Sequence, residues 1–177
     1  MGLFRKKPKE EPQAQEVVGL SPQRGPAEEP SRREPLPFQR ITITTPGGQT
    51  VHMGPRPYDV QEWVEVEPSF NGSKREDLDA DEGCREALDL LTPDRNKYGQ
   101  PRYPYAAARV EPGGAEHPIV VTVGGMVVGF PRKGRQGVFT RKMNEHGGAF
   151  SCLGDFGMDE TGTMTLHLDM GMGQSRY

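Results

Sequence analysis

Long apolar runs are missing from this sequence. No stretch approaches about 18 consecutive hydrophobic residues, so a membrane-crossing helix is not expected. Cysteine is scarce: Cys84 and Cys152 lie far apart and outside any Cys-x-x-Cys spacing, which argues against a disulfide framework or a zinc centre. Two free thiols, with no apolar segment near the start, fit a cytoplasmic protein. The start Met1-Gly2-Leu3-Phe4-Arg5-Lys6 lacks the Ser or Thr of a myristoylation signal, and the sequon Asn71-Gly72-Ser73 means little without secretion. Core-forming residues are few. Hydrophobic content is 33% against 27% charged in 177 residues, which suits one domain plus a tail. A positive excess is lacking as well. With a net charge of −3 and a pI near 5.8, any nucleic-acid binding has to come from a local basic patch.

What the chain does have is turn residues, 23 Gly and 17 Pro, which favour many short strands over long helices. Its one long apolar stretch runs over residues 118–131. Ile119 to Val123 and Met126 to Phe130 read as two strands, and Gly124-Gly125 can take the positive φ of a two-residue hairpin turn. Both arms are nearly continuously apolar, which predicts cover on both faces.

Residues 1–37 read as a disordered tail, because Pro8, Pro12, Pro22, Pro26, Pro30, Pro35 and Pro37 interrupt a polar, charged segment. Arg5, Lys6, Lys7 and Lys9 make its start basic, so the tail is either a solubilising segment or a weak hook. Residues 38–60 suggest a short hairpin, Ile41–Thr44 and Gln49–Met53, followed by a linker. Trp63, Val64 and Val66 suggest a strand ended by Pro68. Over 76–91 the pattern predicts a helical turn first, capped by Asp79 or Asp81, and then an extended exit through Leu88, Leu90 and Leu91. Further strands are expected over Tyr105–Val110, Phe150–Phe156 and Thr163–Leu168, with a short helix possible in 132–146. The last strand alternates Met164, Leu166 and Leu168 with polar residues, the pattern of one wet face. Together these predict a mainly β (β-rich α+β) fold: a small barrel of five or six strands with one or two short helices, spanning 61–170 before a flexible 171–177.

Catalytic signals are absent. An EF-hand loop starting at Asp77 would place Glu82 where Gly is needed and Leu88 where a bidentate Glu is needed, so the segment reads as a solvated acidic loop. His52, His117, His146 and His167 pair with no Cys at ligand spacing and read as surface or strand-face residues. No nucleophile elbow or phosphate cradle is present. The expectation is a non-enzyme with no cofactor and no metal.

The positive signal is basic and aromatic. Arg132, Lys133, Arg135, Arg141 and Lys142 lie in a stretch without acids, beside Phe130 and Phe139. The loop 94–105 adds Arg95, Lys97, Tyr98, Arg102, Tyr103 and Tyr105. Cations for phosphates and rings for bases are what single-stranded nucleic acid requires. A solvated loop with its aromatics buried under the barrel accounts for the same composition.

From roughly Trp63 to Met170, and most closely from Leu90 onward, the sequence resembles the HIRAN domain family, in particular its small stand-alone actinobacterial or phage members. Asn96-Lys97-Tyr98 stands for the family's Asn-x-Tyr-Asp loop, Ala106 to Val110 for the following strand, and Val128-Gly129-Phe130-Pro131-Arg132 for its Val-Gly-Tyr-like strand end with a basic residue. Gly99 takes the place of the family's Asp, and Gln100 to Pro104 follow as an insertion. The resemblance implies an OB- or SH3-like barrel. It also implies a grip on single-stranded DNA or its free 3′ end, in DNA repair or processing. Asn96 and Tyr98 would face the terminal nucleotide, with Phe130 and Arg132 beside the strand. The expected nucleic-acid-binding set is Asn96, Lys97, Tyr98, Arg102, Tyr103, Phe130, Arg132, Lys133 and Arg135. The competing expectation is a protein-interaction or structural module that has lost the DNA-end site and recruits a protein partner through the N-terminal tail or an exposed hairpin.

Overall fold

Residues 39–69 and 75–171 are described by a computed structural model. The tail 1–37, the sequon at 71–73 and all of the C-terminal segment but Gly171 lie outside the described residues.

Among the described residues eight strands and two α-helices form: β1 (Ile41–Thr44), β2 (Thr50–Gly54), β3 (Arg75–Asp79), α1 (Glu82–Leu91), β4 (Tyr105–Pro112), β5 (Ile119–Val123), β6 (Met126–Pro131), α2 (Gln136–Glu145), β7 (Phe150–Met158) and β8 (Met164–Asp169). The order β4-β5-β6-β3-β8-β7 closes on itself through the β4–β7 pairing, giving a six-stranded antiparallel barrel. The molecule is therefore mainly β, with the expected short helices. Closure leaves these strands no free edge.

Two strands each hold two neighbours along one edge or in turn. β3 pairs Arg75–Asp77 with β8 and then Leu78 and Asp79 with β6, so five residues join the two halves of the barrel. β4 gives Tyr105 and Ala106 to β2, then Arg109–Pro112 to β5. The β1–β2 hairpin thereby continues the barrel's sheet, and the Thr45 hydroxyl donates to the Gly124 carbonyl at 3.1 Å.

The central hairpin turns at Gly124 (φ +57) and Gly125 (φ +73), where a side chain would be strained. Val121 pairs with Gly129, but the next residue, Thr122, pairs with Val127, so Val128 is an extra residue in β6. This bulge breaks the alternation, and Val128 to Pro131 are all buried. Val127, just before it, stays 38% exposed, so the predicted cover on both faces fails at that residue. β8 keeps its predicted alternation as far as His167. Asp169 is then buried as well, accepting from the Ser69 amide at 3.1 Å and the Gly171 amide at 3.0 Å. The core fills with β residues such as Val110, Val121, Phe150 and Leu166, closed over by Leu88 and Leu91 of α1 and Phe139 and Met143 of α2.

Two expectations are corrected. Over 75–91 the order is reversed: the extended segment comes first, as β3, and the helix follows through Leu91. Leu88 and Leu91 face the core one helical turn apart, a spacing that short apolar runs do not distinguish from a strand. Around Trp63 the chain forms 3₁₀ turns (Pro57–Asp59 and Gln61–Trp63) rather than a strand. Trp63 stacks on His52 with centroids 4.3 Å apart, and the Arg40 guanidinium lies 4.9 Å from the Trp63 ring centroid. Glu65 and Val66 donate their amides to the Ser151 carbonyl, but no ladder develops. Among the described residues no helix is long and apolar enough to cross a membrane.

Candidate binding groove and the basic loops

An apolar groove lies between α1 and the β5–β6 hairpin. Asp81 starts α1 by accepting the Cys84 amide at 2.8 Å, which also holds its carboxyl below the usual carboxylate range. The Thr92 hydroxyl ends the helix on the Leu88 carbonyl at 2.8 Å, with Pro93 beyond. Cys84, Ala87, Leu88 and Leu91 go to the core on one face of a helix that continues through Leu91, where an extended exit is expected from the sequence. A neighbouring stripe of the helix, Gly83, Glu86 and Leu90, is left on the wall of a groove of about 640 Å³. Val127 and Met126 form the facing wall, and Phe130 and Val120 continue it.

One end of the groove is set by the β4–β5 connection. The Gly113 amide donates to the Pro118 carbonyl at 3.0 Å, folding the loop back tightly. A Cβ on Gly113 would come within 2.1 Å of the His117 carbonyl oxygen, so only glycine fits. That fold lays the His117 ring on Phe130, centroids 3.6 Å apart and planes 12° apart. Among the described residues, the charged ones lining the groove are Asp81, Glu86 and Glu116, with His117 beside them and no Lys or Arg.

The expected nucleic-acid residues divide into two groups. In the loop before β4, the Asn96 side-chain oxygen accepts the Tyr98 amide at 2.8 Å and the Gln100 amide at 3.2 Å, so this side chain holds the loop's own turn. Gly99 sits at φ +81 in that turn. The turn lifts Tyr98 to 72% exposure, with the Lys97 ammonium 4.9 Å from the ring centroid. Arg102 pairs with Asp94 at 3.3 Å, and Tyr103 packs half-buried against the core.

The second group surrounds the end of β6. Phe130 is buried beneath His117. Arg132 lies 3.1 Å from Asp77 and 3.7 Å from Asp79, and Arg135 holds both carboxylate oxygens of Glu76. Lys142 is 3.9 Å from Glu145, whereas Lys133 and Arg141 are exposed. All three partners of Arg132 and Arg135 come from β3. Asp77 and Asp79 thus stand on a strand, and Asp81 caps a helix, where a solvated acidic loop is predicted. Among the described residues no cluster suited to a metal ion occurs.

The register separates the two groups. Asp77, His167, Asp155 and Tyr105 lie opposite one another across β3, β8, β7 and β4. Arg132 is at the Asp77 end of this row and the exit of the Tyr98 loop at the Tyr105 end, with β8 and β7 between β3 and β4. Within the row His167 Nδ1 is 2.8 Å from Asp77, and Arg75 pairs with Asp155 at 2.7 Å. Burial raises the Asp155 carboxyl above its usual range, against the opposing pull of Arg75 and His167.

Sequence reading passed over Leu90, Val127, Glu116 and His117 as site residues. The available signals were a leucine one position off the helix's buried stripe and a Glu-His-Pro following a Pro-Gly-Gly turn. The chain matches no protein-family model, no curated protein and no solved structure.

Proposed function

We propose that this chain is a non-catalytic binding module that takes a segment of another protein into the groove between α1 and the β5–β6 hairpin. One observation carries the reading: Leu90, 58% exposed, and Val127, 38% exposed, face the same groove. Side chains of this kind gathered on one surface favour a partner that covers them. A peptide library displayed on phage, selected on the wild type and on Leu90→Ser, tests it. Sequences enriched by the wild type and lost with Leu90→Ser support the groove. Enrichment that survives the substitution, or none at all, overturns it.

A second reading keeps single-stranded DNA, favoured by the exposed Tyr98 with Lys97 at the tip of its loop and by the HIRAN resemblance. Were all five cations of 132–142 to meet phosphates, log K would fall with log salt at a slope of about −3.5. Arg132, Arg135 and Lys142 already have carboxylate partners, which leaves Lys133 and Arg141 and a slope of about −1.4. Fluorescence anisotropy with oligonucleotides bearing free or blocked 3′ ends decides the matter. Binding that prefers the free end and weakens in Tyr98→Ala supports this reading, and equal binding of both ends removes end recognition.

A further inference from the structure

We infer that the segment held in the groove is cationic and extended, with an aliphatic or aromatic anchor followed on one side by Lys or Arg two and four residues away. The inference rests on the groove reading above and adds the partner's chemistry.

The groove has a polarity. At the end formed by the C-terminal turn of α1, its walls are Leu90, Met126, Val127 and Pro46, all apolar. At the other end, beside the His117–Phe130 stack, lie Asp81 and Glu116, with Glu86 midway along the helix. Among the described lining residues no Lys or Arg neutralises the carboxylates, and only His117, beside Asp81, can add a positive charge to them when protonated. The nearby guanidinium groups of Arg132 and Arg135 are held by Asp77, Asp79 and Glu76 on β3. Asp81 keeps its charge because its carboxylate is the acceptor at the helix start. Like charges would repel a polynucleotide or an acidic peptide from this end, and a basic segment gains from it.

Helix geometry sets the spacing. Leu90 and Glu86 are four residues apart on one face, about 6 Å along the helix axis, and the cap residue Asp81, which also lines the groove, is about 14 Å along the axis from Leu90. An extended peptide advances about 3.3 Å per residue, so those distances correspond to about two and four residues. Positions i, i+2 and i+4 of an extended segment all point to one side. The anchor and both cations would therefore face the groove together.

A synthetic peptide array tests this. Each peptide carries Leu, Ile, Met, Phe or Trp as anchor and Lys, Ser or Glu at the second and fourth positions to either side, and is probed with the wild type, Leu90→Ser and the double variant Glu86→Lys/Glu116→Lys. The expected result is at least about tenfold tighter binding of the Lys series than the Glu series, shrinking with added salt. In the double variant the preference should fall away or reverse; Glu86 and Glu116 are exposed, so the fold should be kept. Ser or Glu peptides binding the wild type as tightly as Lys peptides, but not Leu90→Ser, would overturn the charge assignment and leave the groove standing. Binding by no series, or equal binding to Leu90→Ser, would overturn both.

Discussion

Two aspartates on this fold have their acidities moved in opposite directions. Asp59 is buried, accepting from the Arg56 backbone amide at 3.1 Å and from its guanidinium at 2.9 and 2.6 Å, and these bonds lower its pKa from 3.8. Its contribution to stability is present above the ordinary carboxylate range and is lost as the pH falls through the lowered value. Asp155 is raised instead, chiefly by burial, so the neutral form suits its site. That preference is fully present below the unfolded pKa and is lost as the pH rises through the raised value. Asp59→Asn should therefore lower Tm at pH 7, with the deficit closing in strong acid. Asp155→Asn should hold or raise Tm at pH 7, with the difference vanishing in acid. Thermal melts of both variants across the acid range check the signs. The thiols give a second residue-scale expectation. Burial pushes Cys84 up to about 11 and Cys152 further still, and both are free. Native protein at pH 8 should leave both unreacted with a thiol reagent over minutes, and denatured protein should expose both at once. Prompt labelling of the native fold would contradict the burial of these residues.

At the scale of elements, the β4–β5 connection decides where His117 goes. Its tight return depends on Gly113, whose Cβ position is occupied by the His117 carbonyl and by Val120 Cγ1 at 2.7 Å. Gly113→Ala should displace the loop and unstack His117 from Phe130. The His117 ring protons should lose their ring-current shift in NMR spectra, with the remaining barrel signals in place. A shift unchanged from wild type would mean that the loop adapts without moving the ring. Sequence pattern reached the central hairpin because Gly124-Gly125 and the apolar arms are local features. It missed the order of β3 and α1 because Leu88 and Leu91 serve either a helix or a strand. Only pairing partners far away in sequence, β8 and β6, made Arg75–Asp79 the extended piece. Trp63 shows the same limit: it and Val64 and Val66 suit a strand, but the chain forms 3₁₀ turns there, and Glu65 and Val66 both give their amides to Ser151.

At the scale of the molecule, one core among the described residues is shared by the barrel wall and both helices. Phe139 of α2 is fully buried in it. Phe139→Ala should cost about 3–5 kcal/mol by urea denaturation. Leu90→Ser, on the groove, should stay within about 0.5 kcal/mol of wild type. A Phe139→Ala loss as small as that of Leu90→Ser would mean that α2 is not integral to the core. The sequence by itself determined the class of fold: scarce apolar residues, frequent Gly and Pro and Gly-Gly hairpin turns leave short strands closed into a barrel as the way to bury them. It also located the basic and aromatic residues. Tertiary structure alone decided which of them are available, burying Phe130 under His117, engaging Arg132 and Arg135 with β3 and leaving Tyr98 outside. Backbone preference acts over a few neighbouring residues. The partner of a charge or a ring is set by strand register, which joins residues such as Glu76 and Arg135 only when the barrel closes.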